Sequence, residues 1–121
     1  MSRTIMTVDD SPSMRALLRN ALSAHGYAVA EAEDGIDALE RIDASAPDLV
    51  ITDINMPRMD GFGLIEALRG KPAYAGTPIL VLTTEFSDEK KQRARDAGAT
   101  GWIVKPFHPE KLASAIRRVL L

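Results

Sequence analysis

The sequence predicts an α/β protein, a (βα)5 chain whose five short strands form a parallel, doubly wound sheet. Three observations carry that prediction. Short β-like apolar runs alternate with longer segments of helical period. No Ser/Gly/Pro-rich linker or internal repeat divides the chain. The runs are also too uniformly apolar for a sheet with one wet face, so helices must cover both sides through right-handed crossovers.

The first strand is Thr4 to Val8. Ser11 follows as N-cap and Pro12 as first helical residue, and Met14, Leu17, Leu18, Ala21 and Leu22 form the expected buried stripe of helix one, ended by Gly26. Tyr27 to Ala32 reads as strand two. Gly35 leads into a helix around Ile36 to Ala44, and Pro47 precedes strand three, Leu49 to Thr52. Asp60 is the candidate N-cap of helix three, with Leu64, Ile65 and Leu68 on its buried face and Gly70 at its end. Ile79 to Leu82 is the most hydrophobic strand. A polar helix from about Asp88 to Ala97, a short strand from Trp102 to Val104, and a helix starting at Pro109 with Leu112, Ala113, Ile116 and Leu120 on one face complete the alternation.

Composition narrows the chemistry. The chain has 121 residues, 45% apolar and 26% charged, enough for one domain with its own core; size scaling gives about 6,400 Å² of folded surface. Without cysteine there is no disulfide, thiolate metal site or thiol nucleophile, and two histidines do not make a His-cluster metal site, so any metal is held by oxygen. The longest apolar runs are four residues, such as Ile79 to Leu82, far short of the roughly 20 needed to span a bilayer. With no signal-peptide h-region at the N-terminus, a cytoplasmic protein is expected.

Ligands of such folds bind at the carboxyl ends of the strands, and here those ends are polar. Strand one ends in Asp9-Asp10, strand three in Asp53, strand four in Thr83-Thr84 and strand five in Lys105-Pro106. A lone aspartate after a strand is commonly a turn former or N-cap, and a lone threonine a β-former. Three carboxylates converging at about 5 Å repel by roughly 3 kcal/mol per pair at an effective dielectric of 20, which calls for a compensating charge. Lys105 and a divalent cation are the available ones, and an all-oxygen donor set favours Mg2+.

Val8-Asp9-Asp10-Ser11, Asp53-Ile54-Asn55-Met56-Pro57-Arg58-Met59-Asp60-Gly61, Leu82-Thr83-Thr84-Glu85 and Val104-Lys105-Pro106-Phe107 together resemble the receiver domain of bacterial response regulators, over essentially the whole chain. The resemblance implies a flavodoxin-like fold with strand order 2-1-3-4-5, and a single receiver domain over residues 1–121 with no output domain, similar to the stand-alone chemotaxis regulator. It implies that Asp53 is the phosphoacceptor, that Asp10 and Asp53 ligate Mg2+ directly, that Asp9 acts mainly through water, and that Asn55 contributes its main-chain carbonyl. Lys105 would pair with the phosphoryl group, Thr83 would donate its hydroxyl to it, and Lys105-Pro106 would be a cis peptide. By the same resemblance, Asn55 and Glu85 would be the activity-tuning positions. Thr83 and the strand-five aromatic would form the switch; that aromatic is commonly Tyr or Phe in the family and is Trp102 here.

The implied function is that of a phosphorylatable response regulator in a two-component phosphorelay. It would take a phosphoryl group from a sensor histidine kinase and change its binding to a protein target, with chemotaxis at the flagellar motor as the setting, as a monomer that catalyses only its own phosphorylation and dephosphorylation. Alternatives are a non-motility receiver or phosphate sink and a Mg2+-dependent phosphohydrolase with an aspartyl nucleophile. That enzyme chemistry commonly places a second carboxylate two residues after the nucleophile, where this chain has Asn55.

Other motifs are weak. Gly61-Phe62-Gly63 has Glu66 where a dinucleotide fingerprint needs its third glycine, and Gly70-Lys71 lacks the P-loop glycine five residues earlier. His25 reads as a helix-end residue, His108 as an N-cap or loop residue, and Met56 and Met59 as packing for the loop after Asp53. Residues 1–87 hold 7 basic and 13 acidic side chains, whereas 88–121 hold 8 and 4. Lys90, Lys91, Arg93 and Arg95 lie on a helix whose apolar content is only Ala94 and Ala97, so it is expected to give little to the core and to join strand five and helix five in a partner surface. Nucleic acid is not the expected partner, because no recognition motif or aromatic interleaving accompanies the charge.

Overall fold

The computed structural model describes residues 2–120, with 6322 Å² of accessible surface. The chain alternates β1 (Thr4–Val8), α1 (Pro12–Ala24), β2 (Ala28–Ala32), α2 (Gly35–Ser45), β3 (Leu49–Thr52), α3 (Gly61–Arg69), β4 (Ile79–Thr83), α4 (Asp88–Ala97), β5 (Gly101–Val104) and α5 (Pro109–Val119), with a 3-10 turn at Pro72–Tyr74. All neighbouring strands pair in parallel, in the order β2-β1-β3-β4-β5. The expected (βα)5 doubly wound sheet is the observed one. No helix among the described residues is long and apolar enough to cross a membrane.

Alternation along the strands builds two cores. Met6 and Val8, Val50, and Ile79 and Val81 face one side, where α2, α3 and α4 add Ala38, Ile42, Leu64, Leu68 and Ala94. Ile5, Leu49, Ile51, Leu80 and Leu82 face the other, against Leu18 and Leu22 of α1 and Leu112 and Ile116 of α5. Because every strand runs the same way, all five carboxyl ends meet at one sheet edge.

The helix boundaries follow local chemistry. Ser11, Asp34, Asp60 and Ser87 each accept a backbone N–H three residues on. His108 caps α5 through Nδ1, accepting from the Glu110 amide at 3.2 Å. The His25 ring sits 3.0 Å from the Ala21 carbonyl at the end of α1. Gly26 (φ 86°) reverses the chain there, and the Tyr27 amide bonds back to Leu22, so β2 starts one residue later than its periodicity suggests.

One expectation is corrected. Leu17 is 56% exposed rather than part of the buried stripe. The buried face of α1 centres between Leu18 and Leu22, and Leu17 lies about 120° around the helix from it. As expected, α4 gives little to the core: Ala94 is its one buried residue, while the Arg93 guanidinium lies 4.0 Å over the Phe62 ring and Lys90 pairs with Glu85 at 3.1 Å.

Distant loops are tied by charged groups. Arg69, at the end of α3, donates to the carbonyls of Tyr74, Ala75, Thr77 and Gly98. Tyr74 donates its hydroxyl to Asp43 at 2.8 Å. Buried Asp34 caps α2 and also receives two bonds from Arg58, at 2.9 and 3.1 Å. Hydrogen bonding from Arg58 outweighs the opposing effect of burial and holds the Asp34 pKa below its ordinary 3.8. A depressed carboxylate stabilises the fold fully above its unfolded pKa and loses that contribution as pH falls through the folded value. Asp34→Asn should therefore lower the Tm by several degrees at pH 7, with a deficit that closes below about pH 3.8. Melts across pH check this, and a constant deficit would contradict it.

Candidate functional site

The site grows from three turns at the carboxyl edge of the sheet. β1 delivers Asp9 and Asp10, β3 delivers Asp53, and β5 delivers Lys105. Lys105 Nζ reaches Asp9 Oδ2 at 2.8 Å and Asp53 Oδ2 at 2.7 Å, with side-chain exposures of 11%, 3% and 12% respectively. Burial pushes the lysine pKa down, but hydrogen bonds to Asp53 and then Asp9 more than offset it, so the ammonium is held above its ordinary range. The Lys105-Pro106 peptide is cis.

Each carboxylate is anchored by its second oxygen. Asp9 Oδ1 accepts the Ser11 amide at 2.9 Å, and Asp53 Oδ1 the Ile54 amide at 2.6 Å. Asp10 is exposed. Ligand oxygens of Asp9, Asp10 and Asp53 lie within 4.8 Å of one another, a set of hard, anionic donors with a solvent-facing side, which fits a divalent cation of the magnesium type. Close packing beneath the loop demands Gly61, where a Cβ would stand 2.3 Å from the Asp53 carbonyl oxygen.

A second line of contacts runs along the β4–α4 turn. Thr83 is fully buried, and its Oγ1 accepts the Glu85 amide at 3.3 Å. The Glu85 carbonyl accepts from Trp102 Nε1 at 3.2 Å. The Glu85 carboxylate accepts from Asn55 Nδ2 at 3.0 Å and lies 3.1 Å from Lys90 Nζ, and the bonds from Asn55 and then Lys90 lower its pKa. Half-buried Trp102 packs against the α2–α3–α4 core, apart from the carboxylates and joined to Thr83 through Glu85.

With this geometry in place, the comparison with known proteins decides the family. The response regulator receiver domain family matches residues 5–117. The chain belongs to that family. It is therefore a phosphorylatable signalling regulator rather than a classical enzyme. This receiver domain is 42% identical over 118 residues to chemotaxis protein CheY1 of Helicobacter pylori, covering 96% of this chain and 95% of that one. It is 40% identical over 116 residues to a gliding motility regulatory protein of Myxococcus xanthus, covering 95% of this chain but only 15% of that much longer one. The crystallised chemotaxis protein CheY4 of Vibrio cholerae superposes with a TM-score of 0.94 at 45% identity, covering 98% of this chain and 99% of that one.

Sequence reasoning missed several groups that organise the receiver. Arg15 donates to the Asp9 carbonyl at 2.5 Å while its Nε lies 3.4 Å from Glu31, fixing the β1–α1 turn from outside. An arginine beside the buried stripe of α1 was the available signal. Arg58, Asp34 and Lys90 had none, because their partners are set only by the tertiary fold.

Charge crowding makes a testable statement about the metal-free protein. Asp10→Asn should raise the Tm in chelator by a few degrees, since it removes one of three mutually repelling charges, an effect of about 1 kcal/mol or more. Lys105→Met should lower it by more, because buried Asp9 loses its counter-charge at a cost of about 3 kcal/mol. Thermal melts of both variants check this, and a destabilised Asp10→Asn would contradict it.

Proposed function

We propose that Asp53 is the phosphoacceptor of a receiver that takes its phosphoryl group from the phosphohistidine of a sensor kinase. The observation that carries this is the Asp53 carboxylate itself: at a strand end, still reachable by solvent, and held on one oxygen by Lys105. A carboxylate oxygen attacks phosphorus, the bond from phosphorus to the histidine nitrogen breaks, and the electron pair leaves with the imidazole, which takes up a proton. Asp53 becomes an acyl phosphate. Lys105 stays as counter-charge for the phosphoryl oxygens.

Asp10, Asp53 and the Asn55 main-chain carbonyl would hold Mg2+, with Asp9 acting through water. When bound, the ion neutralises charge on the phosphoryl oxygens during transfer. The Thr83 hydroxyl donates to a phosphoryl oxygen, and because Thr83 Oγ1, the Glu85 backbone and Trp102 are joined in series, that shift is passed to the indole. The partner surface of α4, β5 and α5 reads this change, with Lys91, Arg95 and Lys111 facing an acidic protein target. The named chemotaxis relatives support a motility pathway ending at the flagellar motor, with the receiver acting as a cytoplasmic monomer. A phosphohydrolase is disfavoured because Asn55, with its amide on Glu85, stands where such an enzyme needs a proton-transferring carboxylate.

Acetyl phosphate with Mg2+ should give a hydroxylamine-labile phosphoprotein, and Asp53→Asn should abolish it; undiminished labelling of that variant would overturn the assignment. Beryllofluoride with Mg2+ should change the emission of Trp102, the chain's single tryptophan. Thr83→Ala should still become phosphorylated yet lose most of that change. Wild-type fluorescence behaviour in Thr83→Ala would show that the hydroxyl does not couple the two sites.

A further inference from the structure

We infer that Asp34 and Arg58 are a positioning pair that sets the geometry of the loop carrying Asn55, and so tunes the acidic site from outside it. The inference rests on the reading of that site as a Mg2+-dependent phosphoacceptor, and deepens it. Arg58 has φ 62°, a left-handed conformation that is unfavourable for a residue with a Cβ. The fold holds it there by a two-point bond, Nε to Asp34 Oδ2 at 2.9 Å and Nη2 to Asp34 Oδ1 at 3.1 Å, on a carboxylate that is only 2% exposed.

The surrounding contacts make this a clamp rather than a loose surface pair. The Gly35 amide donates to the Met59 carbonyl at 3.1 Å, and Met59 seats so closely over Gly35 that a Cβ there would meet its Cγ at 2.6 Å. The first turn of α2, capped by Asp34, is thus fastened to the middle of the loop. The loop's two ends are fastened independently, by the Asp53 amide on the Val8 carbonyl at 2.9 Å and the Gly61 amide on the Ile54 carbonyl at 2.8 Å. Asn55 lies between these fixed points, and its side chain continues the chain of contacts to Glu85. A shift of the Arg58 turn therefore has few places to go except into Asn55, whose main-chain carbonyl is the proposed third protein ligand.

The test compares Arg58→Gly, which keeps the left-handed turn free of strain, with Asp34→Asn, which keeps an N-capping side chain. Mg2+ affinity is measured by calorimetry, amide exchange is followed over residues 54–59, and the acetyl phosphate labelling rate is taken at low and saturating Mg2+. Both single variants should bind Mg2+ about tenfold more weakly, as for other groups that orient a metal ligand. Both should exchange faster over the loop and recover wild-type labelling rates at saturating Mg2+, and the double variant should be no weaker than either single one. The sign is diagnostic, because loss of the arginine's charge alone would tighten cation binding. Unchanged or tighter Mg2+ binding by Arg58→Gly would reduce the pair to a structural staple and overturn the inference. Failure of the wild-type protein to bind Mg2+ would instead overturn the reading of the site beneath it.

Discussion

One ammonium group between two carboxylates is the interaction on which the rest of this receiver depends. Lys105 closes β5 with its Nζ 2.7–2.8 Å from oxygens of Asp53 and Asp9, which close β3 and β1. Anions this close and this buried carry a desolvation cost that a surface pair does not, and they persist only with a counter-charge and anchored second oxygens. The Ser11 and Ile54 amides supply those anchors. A parallel sheet is the simplest way to bring three strands distant in sequence to the same edge, so the strand order and the charge cluster are two sides of one constraint.

Around that cluster the site divides into a fixed half and a coupled half. Asp9 is held at both carboxylate oxygens, at its amide by Ala32 and at its carbonyl by Arg15, while the Asp53 loop is pinned at both ends and through Arg58. The β4–α4 turn is held differently. Its bonds converge on one residue, Glu85, which links Thr83, Asn55, Lys90 and Trp102, while neighbouring Phe86 is 75% exposed with no core to hold it. On the proposed function, the hydroxyl that recognises a phosphoryl oxygen and moves lies in the second half, and the nucleophile that must not wander lies in the first.

Most of this was legible in the sequence because it is written in short-range chemistry. Period-2 and period-3.6 patterns mark the elements, capping residues mark their starts, and polar residues ending apolar strands mark the site. What was not legible lies in contacts between residues far apart in the chain. Arg58 and Asp34 are 24 positions apart and Arg69 and Gly98 are 29 apart, and neither pair leaves a local pattern. The misplacement of Leu17 has a different origin. Five apolar positions spread over too wide an arc of α1 to be buried together, and periodicity alone cannot say which edge of a wide stripe meets the sheet. The Arg93–Phe62 stack on α4 was hidden for a related reason, since an aliphatic-stemmed cation covers apolar surface without raising hydropathy.

If Trp102 is the aromatic of the proposed switch, the chemistry of its indole constrains how that switch works. An indole is a donor only, and here its N–H is committed to the Glu85 carbonyl while the ring packs on the α2–α3–α4 core. A hydroxylated aromatic could exchange a protein acceptor for a water donor as it moves; the indole has no such option and must carry its acceptor with it or leave its N–H to solvent. Movement of the ring therefore either takes the Glu85 backbone with it or breaks this bond. The same backbone is tied to Thr83 through its amide, so two hydrogen bonds in series join hydroxyl and indole, and in the proposed switch a displacement of either end is felt at the other.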